Sequence, residues 1–515
     1  MCRSGGVTRP PRTILACPRR VRWLSALVVL ASTACGVDQA ARARLEQPHG
    51  HHESGRPNVL LVVLDTLRAD RVSAIQPTAP STPQLDRLAA DGTLFSGAHS
   101  VAPWTLPAHA SMFTGLLPSE HGATWQAFRE PADADLEDIL ETTFALADPT
   151  RLLPVRLRAL GYSTLGLTNN AWISRRTSFD TGFDTFDEMW KERRRLSWGY
   201  RLQPALVRTD RASDLGDAGM TLMQLKSRML EAPLREPFFL FINFIDPHYP
   251  YSPPEPWRYA HSDDHELGER IASFEFSEQE MQAGTRPVDV SRFSPFYDGE
   301  VGYVDAVLGQ LLDLLRRTGY YEETLIVVTS DHGELLGERG LFGHQFSVDE
   351  ELMRVPLIVK FPGPPRPARN DDPLASNLDV YRTILAAAGA EDDAADRSLD
   401  LARGTPLGRT HLIGEYSFAE PYLRSNLEAF SDFPIAEYRA DRRVVYTRHG
   451  RELFVGPAAS LESDGRADEV DGHRVVARDL LDSYLEGLEA GTLRRTPRPV
   501  DPDTLERLRS LGYVR

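Results

Sequence analysis

The first ordered pattern along the chain begins at Pro57, where PNVLLVVLDTLRAD runs through apolar positions from Val59 to Leu64 and stops at a carboxylate. An unbroken apolar run of strand length, without alternation, is what a strand buried on both faces requires, and such strands belong to parallel sheets. The pattern recurs in GYSTLGLTNNAW, PFFLFINFIDPHYPY, TLIVVTSDHGE and VPLIVKFPG. Between these runs lie TPQLDRLAADG and GEVGYVDAVLGQLLDLLRRTG, with apolar residues at helical spacing and a closing glycine. Alternation of strands and helices predicts an α/β domain with a mainly parallel sheet. Ligands of such sheets bind outside the carboxyl ends of the strands.

Those ends carry chemistry. Asp65 and Thr66 close the first run, Asp246 and His248 close FFLFINFI, Asp331 and His332 close LIVVTS, and His344 follows in LFGHQ. Carboxylates and imidazoles gathered from sequence-distant strand ends suit a hard or borderline divalent ion, namely calcium, magnesium, manganese or zinc. A structural hydrogen-bond network is the reading that the pattern alone leaves open beside it.

The amino terminus carries a different message. Arg19, Arg20 and Arg22 precede WLSALVVLA, too short to cross a bilayer but of the length of an export-signal core. STAC then ends at Cys35 and resembles a bacterial lipoprotein signal, so residues 1–35 read as a signal peptide, with lipidation of Cys35 and plain secretion both open. Residues 36–56 are polar and without periodicity, and read as a tether; His49, His51 and His52 within it fit a solvated linker better than a metal trap.

Composition narrows the class. A chain of 515 residues, 41% hydrophobic, can bury a large core, and a net charge of -16 excludes the basic surface that nucleic-acid binding needs. The only cysteines are Cys2, Cys17 and Cys35, so the body folds without disulfides. The only lysines are Lys191, Lys226 and Lys360.

Several separated motifs, in order, carry a resemblance: PNVLLVVLDTLRAD, TLPAHASMFTGLLPSEHG, FIDPHYPYSPP, YDGEVGYVDAVLGQLL, TSDHGELLGERGLFGH and RVPLIVKFPG. Together they resemble the sulfatase family of the alkaline phosphatase superfamily, from about Pro57 to about Gly389, and the final LRSLGYVR is similar to the end of many bacterial members. The resemblance implies an alkaline-phosphatase-like large α/β domain, with a mainly parallel mixed sheet between helices, over residues 57–400. It also implies a smaller C-terminal domain with an antiparallel sheet over 401–515, where EYRADRRVVYTRHGRELF alternates as a hairpin does. The implied activity is metal-dependent cleavage of sulfate esters or, in related branches, phosphate esters, and the implied ligands of the first metal are Asp65, Thr105, Asp331 and His332.

One motif departs from the family. The nucleophile ordinarily lies in C-x-P-x-R or S-x-P-x-R and is converted to formylglycine; the matching residues here are Thr105, Pro107 and His109. Oxidising a threonine would give a methyl ketone and not an aldehyde, so the candidate nucleophile is the unmodified Thr105 hydroxyl, activated by a cation and placed at a helix amino terminus. A purely structural helix-capping threonine is the simpler alternative. The only lysine inside a quoted motif is Lys360 of RVPLIVKFPG, and by the resemblance His109 stands at the position of an arginine and His344 near that of a lysine, where the family places fixed positive charge. Asp246, His248 and His344 could hold a second metal, or His248 and His344 could hydrogen-bond the ester and protonate the departing alcohol. Thr66, Arg68 and His121 fit structural contacts. Three functional readings follow: a hydrolase of sulfate or related esters; a phosphodiesterase or phosphotransferase acting on envelope lipid or glycan headgroups; and a binding module without turnover.

Overall fold

The structure, a computed structural model, describes residues 55–124, 148–191, 216–273, 289–344, 347–391, 397–404, 407–417, 442–455 and 473–489, with positions 146, 275–276, 462–463, 503 and 506–507 besides. The signal segment, Cys35, the tether up to Ser54 and LRSLGYVR lie outside the described residues.

The apolar runs become strands. In chain order these are β1 (Asn58–Leu64), β2 (Thr93–Phe95), β3 (Ser163–Thr168), β4 (Thr185–Glu188), β5 (Phe238–Phe244), β6 (Thr324–Thr329), a short ribbon of β7 (Leu335–Leu336) and β8 (Phe342–Gly343), then β9 (Leu357–Lys360) and β10 (Ala368–Asn370). All but the ribbon join one eight-stranded sheet in the order β10-β2-β9-β6-β1-β5-β3-β4. β4, β3, β5, β1 and β6 are parallel neighbours, while β9 runs antiparallel to both β6 and β2.

The absence of alternation in β1 has its cause in the layers. Val59, Leu61 and Val63 face one core and Leu60, Val62 and Leu64 the other. On the first face pack α2 (Thr105–Thr114), α3 (Leu153–Ala159) and α6 (Val380–Ala387); on the second, α1 (Pro83–Asp91), α4 (Asp217–Glu231) and α5 (Ser294–Thr318). Each fully buried Val or Leu contributes roughly 1.5–3 kcal/mol relative to exposure, so both layers are needed to hold a strand of this composition.

A second, antiparallel sheet of four strands follows: β11 (His411–Tyr416), β12 (Arg442–Thr447), β13 (Gly450–Val455) and β14 (Glu462–Ser463). The hairpin expected from alternation is β12 with β13. This sheet and α7 (His473–Glu489) share a core that also takes in Val101, Leu117 and Met353. Next to that core, Glu415 of β11 pairs with Arg443 at 3.0 Å and accepts from the Ser119 hydroxyl at 2.6 Å, both charges being buried. The small sheet is thereby fastened to the segment just after α2.

Candidate active site

Register builds the site. Val63 lies opposite Asn243 on one side and Thr329 on the other, and Asn243 lies opposite Thr168. Four neighbouring parallel strands therefore end level, and the residues that follow them share one edge: Asp65, Asn169 with Asn170, Asp246 and Asp331. The turn after β1 is strained, because Thr66 adopts a left-handed φ of 61°, which is costly for a β-branched residue. Its N–H donates to Asp331 Oδ1 at 3.1 Å and its carbonyl accepts from the Tyr297 hydroxyl at 2.8 Å, so α5 and β6 together hold the turn.

Asp65, Asp331 and His332, all fully buried, offer ligand atoms within 4.8 Å of one another. Asp65 Oδ2 accepts from Asn170 Nδ2 at 2.9 Å and Asn243 Nδ2 at 3.2 Å, and Asp331 Oδ1 accepts from the N–H groups of Thr66 and His332. The other oxygen of each, Asp65 Oδ1 and Asp331 Oδ2, has no hydrogen-bond partner among the described residues. Burial, reinforced by Asp331, raises the Asp65 carboxyl well above its ordinary range, and burial pushes Asp331 up to about 7. His332 donates its Nδ1–H to the Gly333 carbonyl at 2.8 Å, and burial, followed by the neighbouring His344, holds the ring neutral, leaving the Nε2 lone pair available. Two unpartnered buried carboxylate oxygens and a neutral imidazole nitrogen fit a divalent cation, whose charge offsets the cost of burying the carboxylates.

Thr105 is the first residue of α2, fully buried, with Oγ1 3.4 Å from His332 Nε2 and 3.3 Å from the donating Asn170 Nδ2. In this first turn Pro107 has no N–H and the Ala108 N–H donates to the Trp104 carbonyl at 3.3 Å, so the Thr105 and Leu106 N–H groups are the ones that the helix itself leaves available for an anion. His109 lies one turn on. Its Nδ1 donates to the Thr105 carbonyl at 3.0 Å and stands 3.5 Å from Asp331 Oδ2, while the ring meets Phe179 and Phe241 edge-on. Burial pushes its pKa down to about 3, so the position that the resemblance assigns to fixed positive charge holds an uncharged ring. His121 braces the same helix: its ring is 3.0 Å from Ser111 Oγ and 3.2 Å from the Pro107 carbonyl, and it accepts from the Ala123 N–H. Arg68 is bound to Asp70, Glu338 and the Glu334 carbonyl, a structural cluster beneath the turn.

His344 and His248 stand beside His332, with ring centroids 4.6 Å apart for His332 and His344 and 5.0 Å for His344 and His248. His344 Nδ1 is 2.9 Å from Glu334 Oε1, both fully buried. Asp246 has other partners: Oδ2 accepts from the Ala218 N–H at 2.9 Å at the start of α4, and the carboxyl hydrogen-bonds Glu300, with burial and Asp217 pushing its pKa up to about 6. Among the described residues, the acidic and imidazole group close enough to hold an ion is Asp65, Asp331 and His332.

Three residues that the motifs did not single out contact the candidate site residues: Asn170, Asn243 and Glu334. Asn243 did leave a signal, since one amide inside the apolar run FFLFINFI demands a buried partner. Gly333 is constrained as well, because a Cβ there would lie 1.9 Å from the Glu351 carbonyl oxygen. Gly333→Ala must therefore displace the chain between His332 and Glu334; overpacking of this kind costs about 1–3 kcal/mol. Denaturant unfolding of that variant should show the loss, together with reduced metal-induced stabilisation.

Parallel strands whose ends gather carboxylates beside a helix-opening hydroxyl form an arrangement suited to metal-assisted cleavage of an ester. The sulfatase family model matches residues 57–390, and the chain belongs to that family, whose members are sulfuric or phosphoric ester hydrolases that use a divalent metal. It is 27% identical to a sulfatase of Formosa agariphila over 398 residues, 70% of this chain and 74% of that protein. It is 26% identical to the choline-sulfatase of Rhizobium meliloti over 496 residues, 89% of this chain and 86% of that one. Among solved structures, the phosphonate monoester hydrolase of Silicibacter pomeroyi shares the fold with a TM-score of 0.61 at 20% identity, covering 87% of this chain and 100% of the other.

Proposed function

We propose that the protein hydrolyses sulfate esters, or the closely related phosphonate and phosphate esters, with the unmodified Thr105 hydroxyl as nucleophile. The observation that carries this reading is the placement of Thr105 Oγ1 at the start of α2, within 3.4 Å of His332 Nε2 and 3.3 Å of Asn170 Nδ2, beside the unpartnered oxygens of Asp65 and Asp331. Asp65, Asp331, His332 and Thr105 would hold the ion, calcium, magnesium, manganese or zinc. When bound, it supplies positive charge that lowers the pKa of the hydroxyl and draws charge from the ester oxygens. Asn170 orients Oγ1, and the first N–H groups of α2 face the anionic ester. Attack forms the bond from Oγ1 to sulfur or phosphorus as the bond to the leaving alcohol breaks, and the Thr105 proton passes to water. His344, sharing a proton with Glu334, protonates the departing oxygen, with His248 beside it. Water then cleaves the threonyl ester. His109 acts on the position of Thr105 through its carbonyl.

Sulfate is placed first because the choline-sulfatase relative covers most of both chains. We also propose that residues 1–35 direct export, to the periplasm, to the outside or to a lipid anchor at Cys35, with folding units over 57–400 and 401–515. Among the described residues, no helix is long and apolar enough to cross a membrane.

The test is a parallel assay on para-nitrophenyl sulfate, para-nitrophenyl phosphate, bis(para-nitrophenyl) phosphate and para-nitrophenyl phenylphosphonate, each with the four ions and with EDTA. Turnover fastest on the sulfate, lost with EDTA and restored by one ion, is expected. Faster turnover of a phosphorus ester, with an added alcohol competing against water, points to phosphotransfer. No turnover of any ester leaves the binding-module reading and sinks the hydrolase.

A further inference from the structure

Arg507 comes from the far end of the chain and joins the strand-end edge. Its Nε donates to the Asn169 carbonyl at 3.2 Å, across 338 positions of sequence, and its Nη2 donates to Asp217 Oδ2 at 3.0 Å. The side chain is only 10% exposed, unlike an ordinary surface ion pair. A planar guanidinium can meet a carbonyl and a carboxylate at once in fixed directions, which an ammonium on a flexible stem does poorly.

What Arg507 grips is the turn that serves the nucleophile. Asn169 precedes Asn170, whose Nδ2 donates to both Thr105 Oγ1 and Asp65 Oδ2. The N–H groups of Asn169 and Asn170 share Asn243 Oδ1 at 3.3 and 3.1 Å. The Asn169 amide donates to the Asp217 carbonyl at 3.2 Å and to Thr221 Oγ1 at 2.5 Å, tying the turn to the start of α4. Thus β5 holds the turn from within the sheet, α4 holds it from the side, and Arg507 joins turn and helix end with one group. The charge of Arg507 also reaches His248, adding to burial and to His344 in keeping that ring neutral.

We propose that Arg507 is a positioning residue of the active site: by clamping the Asn169 carbonyl to Asp217, it holds the Asn170 amide on the Thr105 hydroxyl. Arg507 is then a working part of the site. Arg507 acts through Asn170, so its removal leaves substrate affinity largely intact and slows the chemical step. The inference rests on the reading of Thr105 as nucleophile.

The test uses the full chain with whichever of para-nitrophenyl sulfate and para-nitrophenyl phenylphosphonate turns over faster. Arg507→Ala, Arg507→Lys, Asn170→Ala and the Asn170→Ala/Arg507→Ala double variant are compared for kcat, KM and Tm. For Arg507→Ala, kcat should fall on the order of ten- to a hundredfold, as expected for a small misplacement of a reacting group. KM should stay within about threefold, the split that marks loss of transition-state positioning and not of ground-state binding. Millimolar guanidinium ion should restore part of the rate, Arg507→Lys should restore little, and the double variant should be no slower than Asn170→Ala. Unchanged kcat in Arg507→Ala overturns the inference. So does a raised KM with kcat kept, strict additivity with Asn170→Ala, or a lost rate that follows a lowered Tm and does not respond to guanidinium. Thr105→Ala is run alongside. Turnover surviving there defeats the nucleophile reading, whereas a dead Thr105→Ala with a fully active Arg507→Ala defeats this inference alone.

Discussion

Thr105→Ala should lose turnover by on the order of a thousandfold or more while remaining folded, since it is the Thr105 hydroxyl that lies against His332 Nε2 and Asn170 Nδ2 at the strand-end edge. The fold survives for an energetic reason. The Thr105 hydroxyl contacts Asn170 and His332 at 3.3 and 3.4 Å, long for hydrogen bonds, and Asn170 keeps Asp65 Oδ2 as a partner, so losing these contacts costs about 0.5–1.5 kcal/mol. Thr105→Ser keeps the oxygen and should keep most of the rate, which separates a chemical role from a helix-opening one. Rates of both variants on the best ester, with thermal unfolding as the folding control, decide the matter. An alanine variant with near-normal kcat would show that Thr105 only opens the helix.

Removal of charge at Asp331 should have the second-largest effect, and it splits in two. D331N keeps an oxygen to accept from the N–H groups of Thr66 and His332 but removes the unpartnered anionic oxygen. Turnover should therefore fall as far as chelation drives it in the natural chain. The metal-free protein should behave in the opposite direction. Burial raises the Asp331 pKa to about 7, so the folded state binds more protons than the unfolded one between the ordinary aspartate value and that point. This group's contribution to stability is then greatest at low pH and declines as pH climbs through about 7. D331N removes that decline, so without metal it should melt at or above the natural chain at neutral pH. On addition of the activating ion the natural chain should rise in Tm and D331N should not, because an ion that binds only the folded state stabilises by mass action. Thermal unfolding with and without ion, at acidic and neutral pH, reads both halves. An equal rise in Tm for D331N would remove Asp331 from the metal site.

Much of this site could be read before any coordinates. Asp65, Asp331 and His332 stand at the ends of apolar runs, and the parallel sheet predicted from those runs places their ends on one edge. The departure that the resemblance assigns to Thr105 is also a matter of residue identity, legible in the motif TLPAHASMFTG. His109 shows the limit: its motif position suggested a group facing the ester, but an Nδ1–H within reach of the carbonyl one turn earlier, and a wall of Phe179 and Phe241, give the ring a closer partner. Asp246 shows it again. It closes β5 as expected, yet the Ala218 N–H at the start of α4 donates to its Oδ2 and the Glu300 carboxyl hydrogen-bonds the same group.

The amino-acid sequence by itself determined the α/β class, through apolar runs too continuous for any strand but a doubly buried one. It determined which end of the sheet carries the carboxylates, and it determined that no formylglycine can form at Thr105. Tertiary structure alone decided which polar atoms meet. Asn170 and Asn243 reach Asp65 because β3, β5 and β1 end level; Glu334 reaches His344 across the β7–β8 ribbon; and Arg507 reaches Asn169 from 338 positions away. Periodicity states which face of an element is buried and where the element ends, whereas hydrogen-bond partners depend on register and packing between segments whose separation along the chain carries no such information.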